Sequence, residues 1–302
     1  MRTSSPRRSG RQPLLRALGS GLILLAVAST AACSAPAEAD APMPAPSASP
    51  SPPPPTGDGA LILGTVLPVT GAFAGQGPAQ MAAVELAVRD INAAGGVGGV
   101  PVVVYQRDSG DAASSLAETS FDELAARRVD AIIGPSAADL AARLLPRAAD
   151  AGVPLISPTI VDSDLAASAV AGSDGATDPD GWLFGISAAP SASGSGSQPS
   201  PEFAQRLIGS DPSLADLRSG PETYDAAILI ALAAMAAGDD GGPSIARALV
   251  AVSSEGFGCS SFGECAAALT EGQDIDYVGA SGALDLDGDG GVLPSPGPAV
   301  GG

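Results

Sequence analysis

Residues 61–108 read LILGTVLPVTGAFAGQGPAQMAAVELAVRDINAAGGVGGVPVVVYQRD. An apolar run, Leu61–Leu67, is bounded by Pro68 and Gly71. It is rich in Leu, Ile and Val and too short for a helix of any length, so it reads as a buried strand. A glycine-rich loop, Thr70–Pro78, follows. Val84, Ala87, Val88 and Ile91 then recur at i, i+3, i+4 and i+7, one apolar stripe along a helix. Ala94-Gly95-Gly96 stops that helix. A second short strand, Val100–Tyr105, ends at the polar Gln106-Arg107-Asp108. Strand, loop, helix, strand is the pattern of a right-handed parallel crossover. Open parallel sheets bind ligands beyond the carboxyl ends of their strands, so Thr70–Pro78 is the first candidate for a site.

The alternation continues outward. Ala117, Phe121, Leu124 and Ala125 share one helix face, and Val129–Gly134 reads as a third strand. Pro135-Ser136 opens a helix carrying Leu140, Leu144, Leu145 and Ala148, and Val153–Ser157 is a fourth strand. Trp182–Ile186 reads as a fifth. Strands and helices joined by short connections predict an α/β fold with a doubly wound, mostly parallel sheet. The pattern breaks at Ser187–Ser200, which is low-complexity, and Pro201–Ser219 predicts one or two short helical turns. Tyr224–Ala237 is apolar nearly all round and too short to span a bilayer, which predicts a buried core helix ending at Gly238. Pro243–Val252 is amphipathic, and Asp274–Leu286 has strand character.

The chain of 302 residues carries a formal net charge of -19, and all 14 basic residues are Arg. Five of them, Arg2, Arg7, Arg8, Arg11 and Arg16, precede residue 20, so the rest of the chain is more acidic still. That charge argues against nucleic-acid partners and against adhesion to anionic lipid. With no His and no Lys, a Ser-His-Asp or Cys-His triad, a Walker A Lys and a Schiff base are all excluded. No Cys/His zinc spacing is present either. The sequence therefore predicts neither an enzyme nor a cofactor or metal site. Asp285-Leu286-Asp287-Gly288-Asp289-Gly290 begins like a calcium loop, but Pro296 stands where the bidentate carboxylate belongs, so it reads as a solvated turn.

Residues 1–32 read as a signal peptide, with Arg residues to Arg16 and an apolar Leu18–Ala28. Thr30-Ala31-Ala32-Cys33 resembles the end of a bacterial lipoprotein signal, which would make Cys33 the lipidated first residue. Thr30 departs from that pattern, and an ordinary secretory signal cleaved near Ala32 is the alternative. Residues 33–59 are a Pro/Ala/Ser-rich tether that favours extended conformation. An exported domain favours a disulfide between Cys259 and Cys265, with two free thiols as the alternative.

The ordered phrases LPVTGAFAGQG, VELAVRDINAAGGVGGVPV, VDAIIGPS, VPLISPT, ETYDAAILIALAAMAAG and CSSFGECAAALTEGQDIDYVGASG resemble the type I periplasmic binding proteins of ABC importers, in the leucine/isoleucine/valine-binding branch. Such proteins have two α/β lobes that close on a ligand. The resemblance implies one lobe over residues 60–186 and 222–290, followed by a tail over 291–302. Only residues 187–221 stand where the second lobe belongs, 35 in all, and so short a chain rarely folds alone. Most of the second lobe is thus expected to be missing.

The resemblance further implies an extracytoplasmic, lipid-anchored solute-binding protein for amino acids or small amides. Its partners would be a small-molecule ligand and the ABC permease subunits, and its contact with the membrane would be through the N-terminal lipid only. The ligand loops would be Thr70–Pro78, Gly134–Asp139 and Ser157–Val161, with Phe73, Gln76, Ser136, Ala138, Asp139, Thr159 and Val161 as the binding residues. Ala138 and Val161 stand where the family usually has hydroxyls, and Ser136 and Thr159 are the neighbouring substitutes. The other reading of these loops is as well-packed turns. The other reading of the whole is a single-lobe sensory or protein-interaction domain with no transport role.

Overall fold

The computed structural model describes residues 56–160, 181–187, 198–286 and 291. The signal segment, residues 33–55 of the tether, Val161 and most of the tail lie outside the described residues. Strand β1, Ile62–Leu67, sits between β2, Val103–Asp108, and β3, Ala131–Ile133. Strands β4, Leu155–Ser157, and β5, Leu183–Gly185, extend the sheet to the order β2-β1-β3-β4-β5, with every pairing parallel. The strand order reverses between β1 and β3, the doubly wound arrangement whose switch point places ligands outside the carboxyl ends of those two strands.

Side-chain alternation divides the core between the two faces of the sheet. Leu63, Leu67, Ile133, Ile156 and Phe184 point to one face, where they pack with α1, Gly77–Ala93. Val66, Ile132, Leu155 and Leu183 point to the other, against α2, Leu116–Ala125, and α3, Ala138–Ala151. The α1 stripe read from the sequence is the buried one: Val84, Ala87 and Ile91 are inaccessible to solvent, and Val88 is half-buried. The third helix begins at Ala138 rather than at Pro135-Ser136, because Gly134 (φ +106°), in the left-handed region, turns the chain there.

The next helix among the described residues after β5 is α4, Pro201–Ser210, which is longer than the turns expected. Ser200 caps it, its hydroxyl accepting the N–H of Phe203. Its apolar side is not free: Phe203 and Leu207 are buried in the same core as α1 and α5, Gly220–Ala237. Helix α5 is buried along most of its length and ends at Gly238 in the left-handed conformation. Helices α6, Gly242–Ala248, and α7, Phe262–Thr270, follow, with a small sheet of β6, Phe257–Cys259, β7, Ile275–Gly279, and β8, Gly282–Ala283. A disulfide joins Cys259 to Cys265. Asp225 is fully buried on α5 and joins that small sheet to the helix. Its carboxylate accepts the Tyr277 hydroxyl, the N–H groups of Ala280 and Ser281, and the Ser281 hydroxyl. It anchors the β7–β8 turn. Among the described residues no helix is long and apolar enough to cross a membrane.

Candidate functional site

The loops after β1, β3 and β4 meet at the carboxyl edge of the sheet. Asp108, at the end of β2, shapes the first of them. Its carboxylate accepts the N–H groups of Val69, Thr70 and Gly110 and the Thr70 hydroxyl, at 2.6–3.1 Å. Burial pushes the Asp108 carboxyl up, but these donors outweigh it and hold the group below its ordinary value. Within the loop, Gln76 N–H donates to the Phe73 carbonyl at 3.0 Å. Phe73 is 36 % exposed, whereas Gln76 is buried where it begins α1.

The second loop is tied to the first helix and to the third loop. Gln80, one turn into α1, donates from its amide to the Ser136 hydroxyl at 2.9 Å, and that hydroxyl also lies 3.1 Å from the Gln80 amide oxygen. The Thr159 hydroxyl donates to the Ser136 carbonyl, and the Ser157 hydroxyl to the Pro135 carbonyl, both at 2.7 Å. All four of these side chains are buried. Ser136 and Thr159 are therefore brought together as expected, but their hydroxyls hold the loops to one another. Gly134 makes this possible, because a Cβ there would lie 2.3 Å from the Val66 carbonyl oxygen.

Ala138 is half-buried and Asp139 exposed in the first turn of α3. One Asp139 oxygen accepts the N–H of Leu140 at 2.9 Å. Val161 and Cys33 lie outside the described residues. Sequence reading missed Gln80 and Asp108. Gln80 carried a signal, a polar residue on the inward side of an apolar helix; Asp108 carried none beyond its place at a strand end.

Neither α1 nor α3 is capped by the side chain that precedes it, Gln76 and Ala137 respectively. Two helix starts at one sheet edge offer backbone N–H groups and the positive ends of two dipoles. Such an edge can receive a small anionic group, such as a carboxylate. Helix α5 starts beside α1: a Cβ on Gly220 would stand 4.0 Å from the Ala79 carbonyl oxygen. The buried polar side chains Glu222 and Thr223 of its first turn therefore belong to the same end of the molecule.

A cavity of about 540 Å³ lies elsewhere, on the flank between α1, α4, α5 and α7, lined by Asp90, Phe203, Arg206, Tyr224, Phe262 and Val278. There the Tyr224 hydroxyl donates to Asp90 at 2.7 Å, and Arg206 pairs with Asp90 and covers both aromatic rings. Burial and the Asp90 charge raise the Tyr224 phenol, so it stays a donor. Among the described residues no group of three or more acidic, Cys or His side chains converges to hold a metal ion.

Residues 61–197 match the family described as "Periplasmic binding protein". Among solved structures, the chain is similar to the branched-chain amino acid transporter substrate-binding protein LivJ of Streptococcus pneumoniae in complex with isoleucine. That likeness has a TM-score of 0.52 at 16 % identity and covers 76 % of this chain and 93 % of the other. It is also similar to a putative branched-chain amino acid ABC transporter protein of Silicibacter pomeroyi, with a TM-score of 0.50 at 14 % identity, covering 65 % and 84 %. At these identities the likeness establishes the fold. No curated protein sequence matches the chain.

Proposed function

We propose that this chain, whose residues 61–197 match the periplasmic binding protein family, is a lipid-anchored, extracytoplasmic solute-binding protein of an ABC importer. Its ligand is an amino acid or a related small amide, taken at the loops after β1, β3 and β4. The observation that carries this reading is the pair of helix starts, α1 and α3, neither capped by the side chain that precedes it, locked side by side by Gln80 and Ser136. They offer the carboxylate of such a ligand a preorganised, positively polarised seat. Ala138 brings no hydroxyl, and those of Ser136 and Thr159 are engaged with the scaffold, so backbone N–H groups do the binding. Between β5 and α5 the described residues hold one helix, and it packs on the flank of the same core. The chain is thus one lobe with most of the second missing, and its ligand stays largely hydrated and weakly held. Calorimetry or equilibrium dialysis against the amino acids and their short amides tests this reading. Saturable binding of at least one supports it, and no heat or retention with any removes it.

A second reading has its own observation. Val69 and Phe73 leave 43 % and 36 % of their surface exposed on the same edge. A single-lobe domain that docks a protein partner there would use these two side chains and bind no small solute.

A further inference from the structure

The first described residues, Thr56–Gly59, are held by side chains from distant parts of the chain. Asp239 accepts the N–H groups of Thr56 and Gly57 at 3.3 and 2.9 Å, and Asp240 accepts that of Gly59 at 3.1 Å. Asp130 accepts the N–H of Ile62 at 2.8 Å, and Asp130 N–H donates back to the Ile62 carbonyl at the same distance. The contact is close: a Cβ at position 57 would stand 1.8 Å from an Asp240 oxygen, so a side chain there would displace that carboxylate. Asp239 and Asp240 follow Gly238, which ends α5, so a fixed helix end presents both carboxylates.

The charges of this joint are poorly balanced. Asp58, Asp130, Asp239 and Asp240 gather there, and among the described residues the one cation paired with them is Arg128, 3.9 Å from Asp58 and largely exposed. Asp240 is only 7 % exposed, and its second oxygen is buried with no hydrogen-bond partner among the described residues. Asp239 also accepts from Ser244 and Gly241, which leaves it below its ordinary value. Asp130 behaves oppositely. Burial, and then the charges of Asp240, Asp58 and Asp239, push it up to about 7 against the bond from Ile62.

We propose that Asp130, Asp239 and Asp240 form a pH-sensitive clasp on residues 56–62, which fixes where the tether leaves the domain and tightens as the surroundings turn mildly acidic. Its place gives it a use. The joint lies at the amino ends of β1 and β3, and the candidate ligand loops at their carboxyl ends, about 20 Å away along β1. Closed, the clasp holds residues 56–62 at the end of the sheet opposite the ligand loops; open, it releases them. The mechanism is proton uptake by Asp130, which removes one of four crowded negative charges while its unprotonated oxygen keeps the bond from Ile62.

Amide hydrogen exchange on the full chain, corrected for intrinsic rates, tests this at residues 56–62. Protection there is expected to be several-fold greater near pH 6 than near pH 8, with the rest of the sheet unchanged. Asp130→Asn is expected to give the higher protection at both pH values. Asp239→Ala is expected to lose protection at 56–59 at both while keeping it in β3 and β4. Protection in the unmodified chain that does not vary with pH, or that varies equally in Asp130→Asn, overturns the proposal. If Asp239→Ala fails to fold, protection is lost throughout, and Asp130→Asn still decides.

Discussion

The side-chain amide of Gln80 and the hydroxyl of Ser136, 56 residues apart in sequence, meet at 2.9 Å in the core. This contact makes the first turn of α1 and the loop after β3 one rigid piece. Removing either partner leaves the other buried and unsatisfied, which costs ~1–3 kcal/mol. Ser136→Ala and Gln80→Ala are therefore each expected to lower the unfolding free energy, measured by urea titration, by that amount. The double variant is expected to cost clearly less than the sum, a coupling of ~1 kcal/mol in a double-mutant cycle. Simple additivity would show that the pair does not act as a unit.

Helix α4 makes its own test of how many bodies the chain has. Leu207 is inaccessible to solvent, and the Phe203 ring meets that of Tyr224 edge-on at 5.3 Å. Truncating a buried Leu or Phe costs ~2–5 kcal/mol. Leu207→Ala and Phe203→Ala are each expected to lower the melting temperature of the whole domain, in one cooperative transition. A separate transition for this segment, or none of the loss, would mean that it stands apart from the core.

Stability should fall as pH rises toward neutrality. Burial, outweighing the donors from Ser281, Ala280 and Tyr277, lifts Asp225 to about 6, and Asp130 is lifted to about 7. Both groups hold a proton more tightly in the folded chain than in the unfolded one. What they contribute is complete below their ordinary value of 3.8 and is lost as pH climbs through 6 and 7. Asp108, Glu118 and Asp216 are lowered and work the other way, losing their contribution as pH falls below the usual carboxylate range. Calorimetric scans are thus expected to give a higher melting temperature at about pH 5 than at about pH 8. Asp130→Asn should raise the pH 8 value by a few degrees, an effect of order 1 kcal/mol after allowing for partial exposure, and change the pH 5 value little.

The Cys259–Cys265 disulfide closes a short loop with a sequence separation of 6, so its effect on the unfolded chain is modest, about 2 kcal/mol in the chain-entropy account. Both cysteines are buried, Cys259 at the end of β6 and Cys265 in α7. Cys259→Ser with Cys265→Ser is expected to lower stability by that amount and leave the parallel sheet folded, as read by circular dichroism. Loss of all structure would mean that the small sheet of β6, β7 and β8 supports the large one.

The parallel sheet was legible in the sequence because its signals are local. Runs such as Leu61–Leu67 and Val129–Gly134 are short, apolar and bounded by glycine or proline, and each became a strand whose alternate side chains serve opposite faces. Helix α4 was less so. Its two buried residues, Phe203 and Leu207, make sense only against Tyr224 and α1, and the low-complexity run before it hides the start. The candidate site was legible as three loops but not as a network. Ser136 and Thr159 were chosen for their hydroxyls, yet those hydroxyls find partners in Gln80 and in the Ser136 carbonyl, which sequence spacing cannot reveal. Asp108 organises the first loop from a neighbouring strand, a relation that exists only once β1 and β2 are paired in register.

The central claim is that one lobe seats a small solute on its own loops. Nitrogen-15 spectra of the full chain, titrated with the free amino acids, test it most directly. The account predicts saturable shift changes with at least one of them, confined to residues 70–78, 134–139 and 157–160 and weakened in Gln80→Ala. Changes centred on the flank around Arg206 and Tyr224, or spectra that no amino acid alters, would contradict it.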